Sequence, residues 1–158
     1  MRILQRTDMR DPNPDQIALQ QFTRNPQHAP TFDANPMARA LGATLLAVDG
    51  ETGTIRVRFE PEGIFVQGAG VLQGGALTAM LDFSMAFALM AVLSPDQTCA
   101  TASLTVSFLR AAPRGRYVAV GEIERRGRQV AFARARLFAE DEPDRIVATA
   151  TSTLAIVT

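Results

Sequence analysis

The chain has 158 residues, 47% of them hydrophobic and 20% charged, which is enough for one domain around a single core and too little for a second. Sixteen basic residues, all arginine, balance sixteen acidic ones, which excludes the strong positive field that nucleic-acid binding usually needs. The single cysteine, Cys99, excludes an internal disulfide, and the opening MRILQRTDMRDPN holds no apolar segment of the kind a secretory signal requires, so a cytoplasmic protein is expected, with neither nucleic acid nor membrane as a partner.

Residues 1–35 are polar and punctuated by Pro12, Pro14, Pro26 and Pro30, with one helix-compatible piece, PDQIALQQFTR. They read as an extension or lid ahead of a domain over residues 36–158. In NPMARALG, Asn35 is placed to cap a short helix and Pro36 to take its first position, and Gly42 stops it. ATLLAVD and TIRVRFE then flank the turn GETG, and the second puts Ile55, Val57 and Phe59 on one face and Arg56 and Arg58 on the other. That pattern is a hairpin.

After the irregular PEGIFVQGAGVLQ comes the apolar run Ala76 to Leu93. A membrane span takes about 20 mostly apolar residues. Here Thr78, Asp82 and Ser84 interrupt the run and no Lys or Arg anchors flank it, so a buried core helix is expected. Beyond it, ASLTVSFL alternates strictly, with Ala102, Leu104, Val106 and Phe108 against Ser103, Thr105 and Ser107. RYVAVGEIE and QVAFARARLFA surround the turn RRGR, and RIVATATSTLAIV ends the chain with a further β-branched run.

The order is an α+β plan: short helix, two strands, long helix, then at least three long strands with short links. A helix apolar on nearly every side must be covered nearly all round. With this order the cover is a curved antiparallel sheet wrapped around one long central helix, the hotdog fold. Ala131, Ala133 and Ala135 are small enough to let the helix come close.

Within VLQGGALTAMLDFSMAFALM, two features carry chemistry. Gly74 and Gly75 open the helix, where the first four N–H groups have no partner inside it and the helix dipole favours negative charge. A tight turn into a helix would need the same glycines. Asp82, in the middle of the apolar run, must be neutralised, paired or used. It follows Gly75 by seven residues and Thr78 by four, so the three share a face, and the Thr78 hydroxyl is within reach of the carboxylate. The alternative is an aspartate satisfied by strand hydroxyls or an arginine. Gly74 and Asp82 stand eight residues apart, about 12 Å of helical rise, too far to meet at one carbonyl within a chain. Two helices side by side about a two-fold axis would bring the Asp82 of one to the Gly74 of the other, so function would require a homodimer.

These residues resemble the hotdog-fold acyl-CoA thioesterases of the phenylacetate-degradation type, over roughly Pro36 to Val157. ALGATLLAVDGETGTIRVRF is similar to the family's opening helix and hairpin, and VLQGGALTAMLDFSMAFAL to its signature, His-Gly-Gly with a catalytic acid nine residues after the histidine. Here Asp82 stands nine after Gln73. ATASLTVSFLRAAPRG and RRGRQVAFARARLF match the next strand and hairpin. The resemblance implies that Gly74 supplies an oxyanion donor and that Asp82 of the partner chain attacks the thioester or activates water. Gln73 replaces the usual histidine, and Gln67 an asparagine six residues earlier. Glutamine can donate an N–H or orient a water, but it is no acid or base.

Gln67, Gly75, Thr78 and Thr101 are the expected substrate-binding residues. Thr101 matches a serine seen in some relatives and would position the water; an ordinary strand threonine accounts for it equally well. Arg110, Arg114, Arg116, Arg125, Arg126 and Arg128 cluster on strand ends and turns, where arginine suits coenzyme A phosphates and a solvated hairpin end explains them as well. Cys99 reads as a small core residue, His28 as a solvated surface residue, and Met80, Met85 and Met90 as core or acyl pocket. No metal or cofactor is expected. The expected activity is hydrolysis of acyl-CoA to acid and free coenzyme A by a homodimer or dimer of dimers; the alternative is a non-catalytic module that binds an acyl-CoA or lipid-like ligand.

Overall fold

Nineteen residues, Gly74–Val92, form the long helix α3, and its cover organises everything else. The computed structural model describes residues 13–27 and 30–158, so the first twelve residues and His28, with their readings above, lie outside the described residues.

Two short helices precede the sheet. Helix α1 (Pro14–Arg24) begins where the Asn13 side chain accepts the Asp15 N–H at 3.0 Å, and α2 (Pro36–Ala40) where Asn35 accepts the Ala38 N–H at 3.2 Å. Both follow the Asn-Pro start, with proline where no intrahelical donor is needed. Gly42 ends the second, at φ +63° and with a Cβ position only 2.5 Å from the Glu60 carbonyl oxygen. Only glycine fits there.

The strands are β1 (Thr44–Asp49), β2 (Thr54–Phe59), β3 (Thr98–Phe108), β4 (Tyr117–Arg126), β5 (Val130–Ala139) and β6 (Ile146–Val157). Among the described residues they form one antiparallel sheet in the order β1-β2-β4-β5-β6-β3. Helix α3 packs against β2 through β6, and its Met80, Leu81, Met85 and Leu89 are fully buried. This is the hotdog arrangement expected from the pattern. Among the described residues α3 is also the one helix long and apolar enough to cross a membrane, and it is the buried core helix of the sheet.

The inward residues of β5, Ala131, Ala133 and Ala135, are buried under the helix as their size suggested. The tightest approach lies one strand over, at Gly121 of β4. A Cβ there would stand 2.3 Å from the Ser84 carbonyl oxygen and 2.6 Å from its carbon. Those are backbone atoms in a fixed helix, with no flexible side chain to yield. From α1 and the segment after it, Leu19, Phe22 and Phe32 enter the same core, and the Phe32 ring stacks on Phe87 of α3 with centroids 4.3 Å apart.

Strand β3 departs from strict alternation. Its pairing with β6 runs Thr101 to Leu154, then Ser103 to Thr153, so Ala102 is an extra residue in a β-bulge. The bulge switches parity. Before it Cys99 and Thr101 face α3; after it Leu104 and Val106 pack against the core, while Ala102, expected on that face, is exposed. Buried Ser152 donates to the Ser103 carbonyl at 2.9 Å and ties the bulge down.

Gly121→Ala forces the helix off the sheet. A loss of about 3 kcal/mol in unfolding free energy is expected from denaturant titration, the upper end of ordinary overpacking costs because backbone must move. A variant as stable as wild type would show that α3 is not held at this distance.

Candidate functional site at the start and middle of an apolar helix

The loop before α3 is built to present the helix start. Gln67 forms its turn: the side-chain oxygen accepts the Ala69 N–H at 2.8 Å and the backbone N–H donates to Val71 at 2.8 Å. The backbone of Leu72 then reaches the Ala112 carbonyl at 2.7 Å, and that of Gln73 the Phe65 carbonyl at 2.8 Å. Gln73 is the N-cap in extended conformation, but its side chain makes no capping bond and is exposed. The amides of Gly74 and Gly75 have no hydrogen-bond partner among the described residues. A Cβ on Gly75 would meet open space, whereas one on Gly74 would meet the Phe108 ring.

Two turns along, half-buried Asp82 accepts the Thr101 hydroxyl at 2.8 Å on Oδ1. The bulge is what turns Thr101 toward it. Thr78, the donor its spacing suggested, is not used this way: its hydroxyl donates to the Gly74 carbonyl at 2.8 Å, four residues back, the local bond that helical threonine commonly makes. The chain therefore brings Asp82 and Thr101 together, and groups Gln67, Gln73, Gly74 and Gly75 separately at the helix start.

Burial pushes the Asp82 carboxyl above its ordinary value, and the Thr101 hydrogen bond draws it part of the way back. The same burial, with the Asp82 charge beside it, pushes the Cys99 thiol up to about 12. Its Sγ lies 3.7 Å from the Ala86 carbonyl, so Cys99 is a packed thiol with negligible thiolate near neutrality.

The arginines divide. Arg116 pairs with Glu140 at 2.9 Å, Arg126 donates to the Val92 carbonyl at 2.6 Å at the C-terminal end of α3, and Arg110 donates to the Ile146 carbonyl. Arg114, Arg116 and Arg145 line a cavity of about 640 Å³ that Glu140, Asp141 and Glu142 share. Its charges alternate in sign. A smaller cavity of about 360 Å³ opens at the start of α3, lined by Val71, Leu72, Leu77, Phe108 and Leu109 beside Gly74, with Arg110 at its margin.

Residues 69–146, which hold α3 and β3 through β5, match the model of the thioesterase superfamily. The phenylacetic acid degradation-related protein of Ralstonia eutropha is 33% identical, with a TM-score of 0.75 over 90% of this chain and 99% of that one. The chain belongs to the thioesterase superfamily, in its phenylacetate-degradation type. Two further hotdog-fold relatives share the architecture: the PaaI protein of the phenylacetic acid degradation operon of Escherichia coli, 17% identical with a TM-score of 0.73 over 90% of this chain and 96% of that one, and a thioesterase of Haemophilus influenzae, 20% identical with a TM-score of 0.70 over 79% and 85%. No curated protein matches the chain.

Two outcomes follow for this thioesterase-superfamily chain. The folded state binds the Asp82 proton more tightly than the unfolded chain does. That stabilisation is complete below pH 3.8 and is lost as pH rises through the raised folded value. Asp82→Asn, which keeps an acceptor for Thr101, should therefore melt higher than wild type at pH 7, with the gap closing toward pH 4; a gap that is the same at both would refute the shift. Cys99 should resist a disulfide reagent at pH 8 in the folded protein and react once per chain in denaturant, and fast labelling of the native form would place the thiol elsewhere.

Proposed function

We propose that the chain is an acyl-CoA thioesterase acting as a homodimer, in which the Gly74 amide of one protomer and Asp82 of the other meet at the thioester. One observation carries this reading. Between its first residue and its last turn, the residues of α3 left uncovered by the sheet, Gly75, Thr78, Ala79, Asp82, Phe83 and Ala86, recur every three or four positions and form a single strip. On a helix otherwise buried, such a strip suits a second α3. It lies beside β3, one of the two edge strands, whose outer side pairs with no strand among the described residues and could continue the sheet into a partner.

The unpartnered Gly74 amide then polarises the thioester carbonyl and stabilises the negative charge that develops on its oxygen. Asp82 of the partner either attacks the carbonyl carbon itself or takes a proton from a water that does so. The C–S bond breaks and coenzyme A leaves as the thiol; where Asp82 attacks directly, water then hydrolyses the acyl-aspartyl anhydride, and by either route the products are the carboxylic acid and free coenzyme A. A carboxyl held above its ordinary value is a stronger base than a solvated one, and the Thr101 hydroxyl fixes which oxygen is free to act. Gln73, exposed and uncommitted at the helix start, donates an N–H to the substrate or orients the water, the part of the histidine's work that needs no titration. Gln67 and Gly75 shape the entry to the amides, and Thr78 lies on the strip between them and Asp82.

Thiol release from short, long and aromatic acyl-CoAs by wild type and Asp82→Asn tests the reading. Wild-type turnover and a fall of at least about 10²-fold in the folded variant are expected, the scale of losing a positioned base. The acidic limb of kcat should lie above the ordinary carboxylate range, since Asp82 must be ionised. Equal rates in both proteins would move Asp82 to a structural role. Thermal protection by acyl-CoA without turnover would make the chain a binding module, which the missing histidine at Gln73 favours.

A further inference from the structure

Phe108 is the last residue of β3 and the side chain that stands over the start of α3. Its Cζ, Cε1 and Cε2 lie 3.2, 3.5 and 3.6 Å from the position a Cβ would take on Gly74. The ring thus rests on the backbone beside the unpartnered amide. Core packing accounts for that contact but not for the rest of the ring, since the residue is 53% exposed. The exposed part walls the cavity of about 360 Å³ at this end of the helix, where Leu72 and Leu77 form the apolar floor.

The ring's frame is fixed. Phe108 pairs with Ala148 across the sheet, and the next residue's N–H donates to the Val147 carbonyl at 2.9 Å. The bulge at Ala102 sets the parity that turns residue 108 toward the helix, and Gly74 blocks retreat on that side. A group entering beside the Gly74 amide therefore meets an aromatic wall whose backbone is held in the sheet.

We propose that Phe108 is a positioning and specificity-determining residue for thioester hydrolysis, its ring forming the apolar wall that seats the carbonyl against the Gly74 amide and limits bulk on the carbon next to it. The wall acts in two ways. It displaces water from the donor, so that the hydrogen bond to the developing oxyanion is made in a low-dielectric setting. It also leaves a straight acyl chain room to pass and makes a branch at the α-carbon collide. The inference rests on the acyl-CoA thioesterase reading above.

The test measures kcat and KM for wild type, Phe108→Ala and Phe108→Leu on an unbranched acyl-CoA that the wild type hydrolyses and on its 2-methyl analogue. Wild type should prefer the unbranched ester by roughly 10-fold or more in kcat/KM, the scale of one methyl in a fitted site. Phe108→Ala should lose about 10- to 100-fold in kcat on the unbranched ester, as a misplaced carbonyl does, and bring the preference to near unity. Phe108→Leu should restore much of the rate and part of the preference. A merely structural role would lower the melting temperature and leave the preference unchanged, and an unchanged preference in both variants overturns the proposal. No thiol release by wild type on any ester removes the thioesterase reading and this inference with it; turnover with unaltered selectivity removes the role of Phe108 alone.

Discussion

Everything in this molecule follows from one helix that is apolar on nearly every side. No single surface can cover such a helix, so the chain curls five strands against α3 and brings Leu19, Phe22 and Phe32 in from the N-terminal segment. The sheet can curl this closely because β4 and β5 present Gly121, Ala131, Ala133 and Ala135 where the helix passes. One strip stays uncovered, and it holds the only charge in the helix. The cover and the candidate site are thus consequences of the same constraint: at the margin of the sheet, where Thr101 of β3 still reaches it, Asp82 can stand partly wetted.

The sequence made the periodic parts legible. Asn35, Pro36 and Gly42 bound α2 by capping chemistry that is local, and Ile55, Val57 and Phe59 betray β2 because one face of it is core. Asp82 stood out for the same reason, as an exception within a pattern. Non-local features left no such trace. The strict alternation of ASLTVSFL hid the bulge, since an extra residue is chosen by what the partner strand and helix require and Ala102 carries no turn signal. Thr101 and Thr78 could not be ranked as donors to Asp82 from spacing alone, because the helical hydroxyl has a carbonyl of its own four residues back. Nothing in the sequence marked Gly121, whose missing Cβ is what lets the Ser84 backbone come so near.

Asp82 also illustrates why a fold keeps a group that works against it. Burial disfavours its ionised form, as it does that of the neighbouring Cys99 thiol, to which the Asp82 charge adds a smaller push. A neutral isostere would relieve the cost of ionising a half-buried group, so selection for stability alone would not retain the carboxylate. The Thr101 hydroxyl offsets only part of the cost while fixing the carboxylate's orientation, the combination expected of a group kept for its chemistry.

The proposed dimer places a register condition on the uncovered strip. When two copies of one helix lie antiparallel about a two-fold axis, facing residues have numbers with a constant sum, so Gly74 opposite Asp82 requires the axis to pass Thr78. That position must accept its own copy at close range. Thr78 is compatible because its hydroxyl is already bonded to the Gly74 carbonyl and turns back along its own helix, leaving no polar group to be stranded at the crossing. Gly75 and Ala79 on either side are small, which permits the short interaxial distance that brings the two halves of a site within reach of one thioester. The spacing of eight between Gly74 and Asp82 then decides where the helices cross: another spacing would move the axis away from Thr78, to a position whose side chain would have to meet its own copy instead.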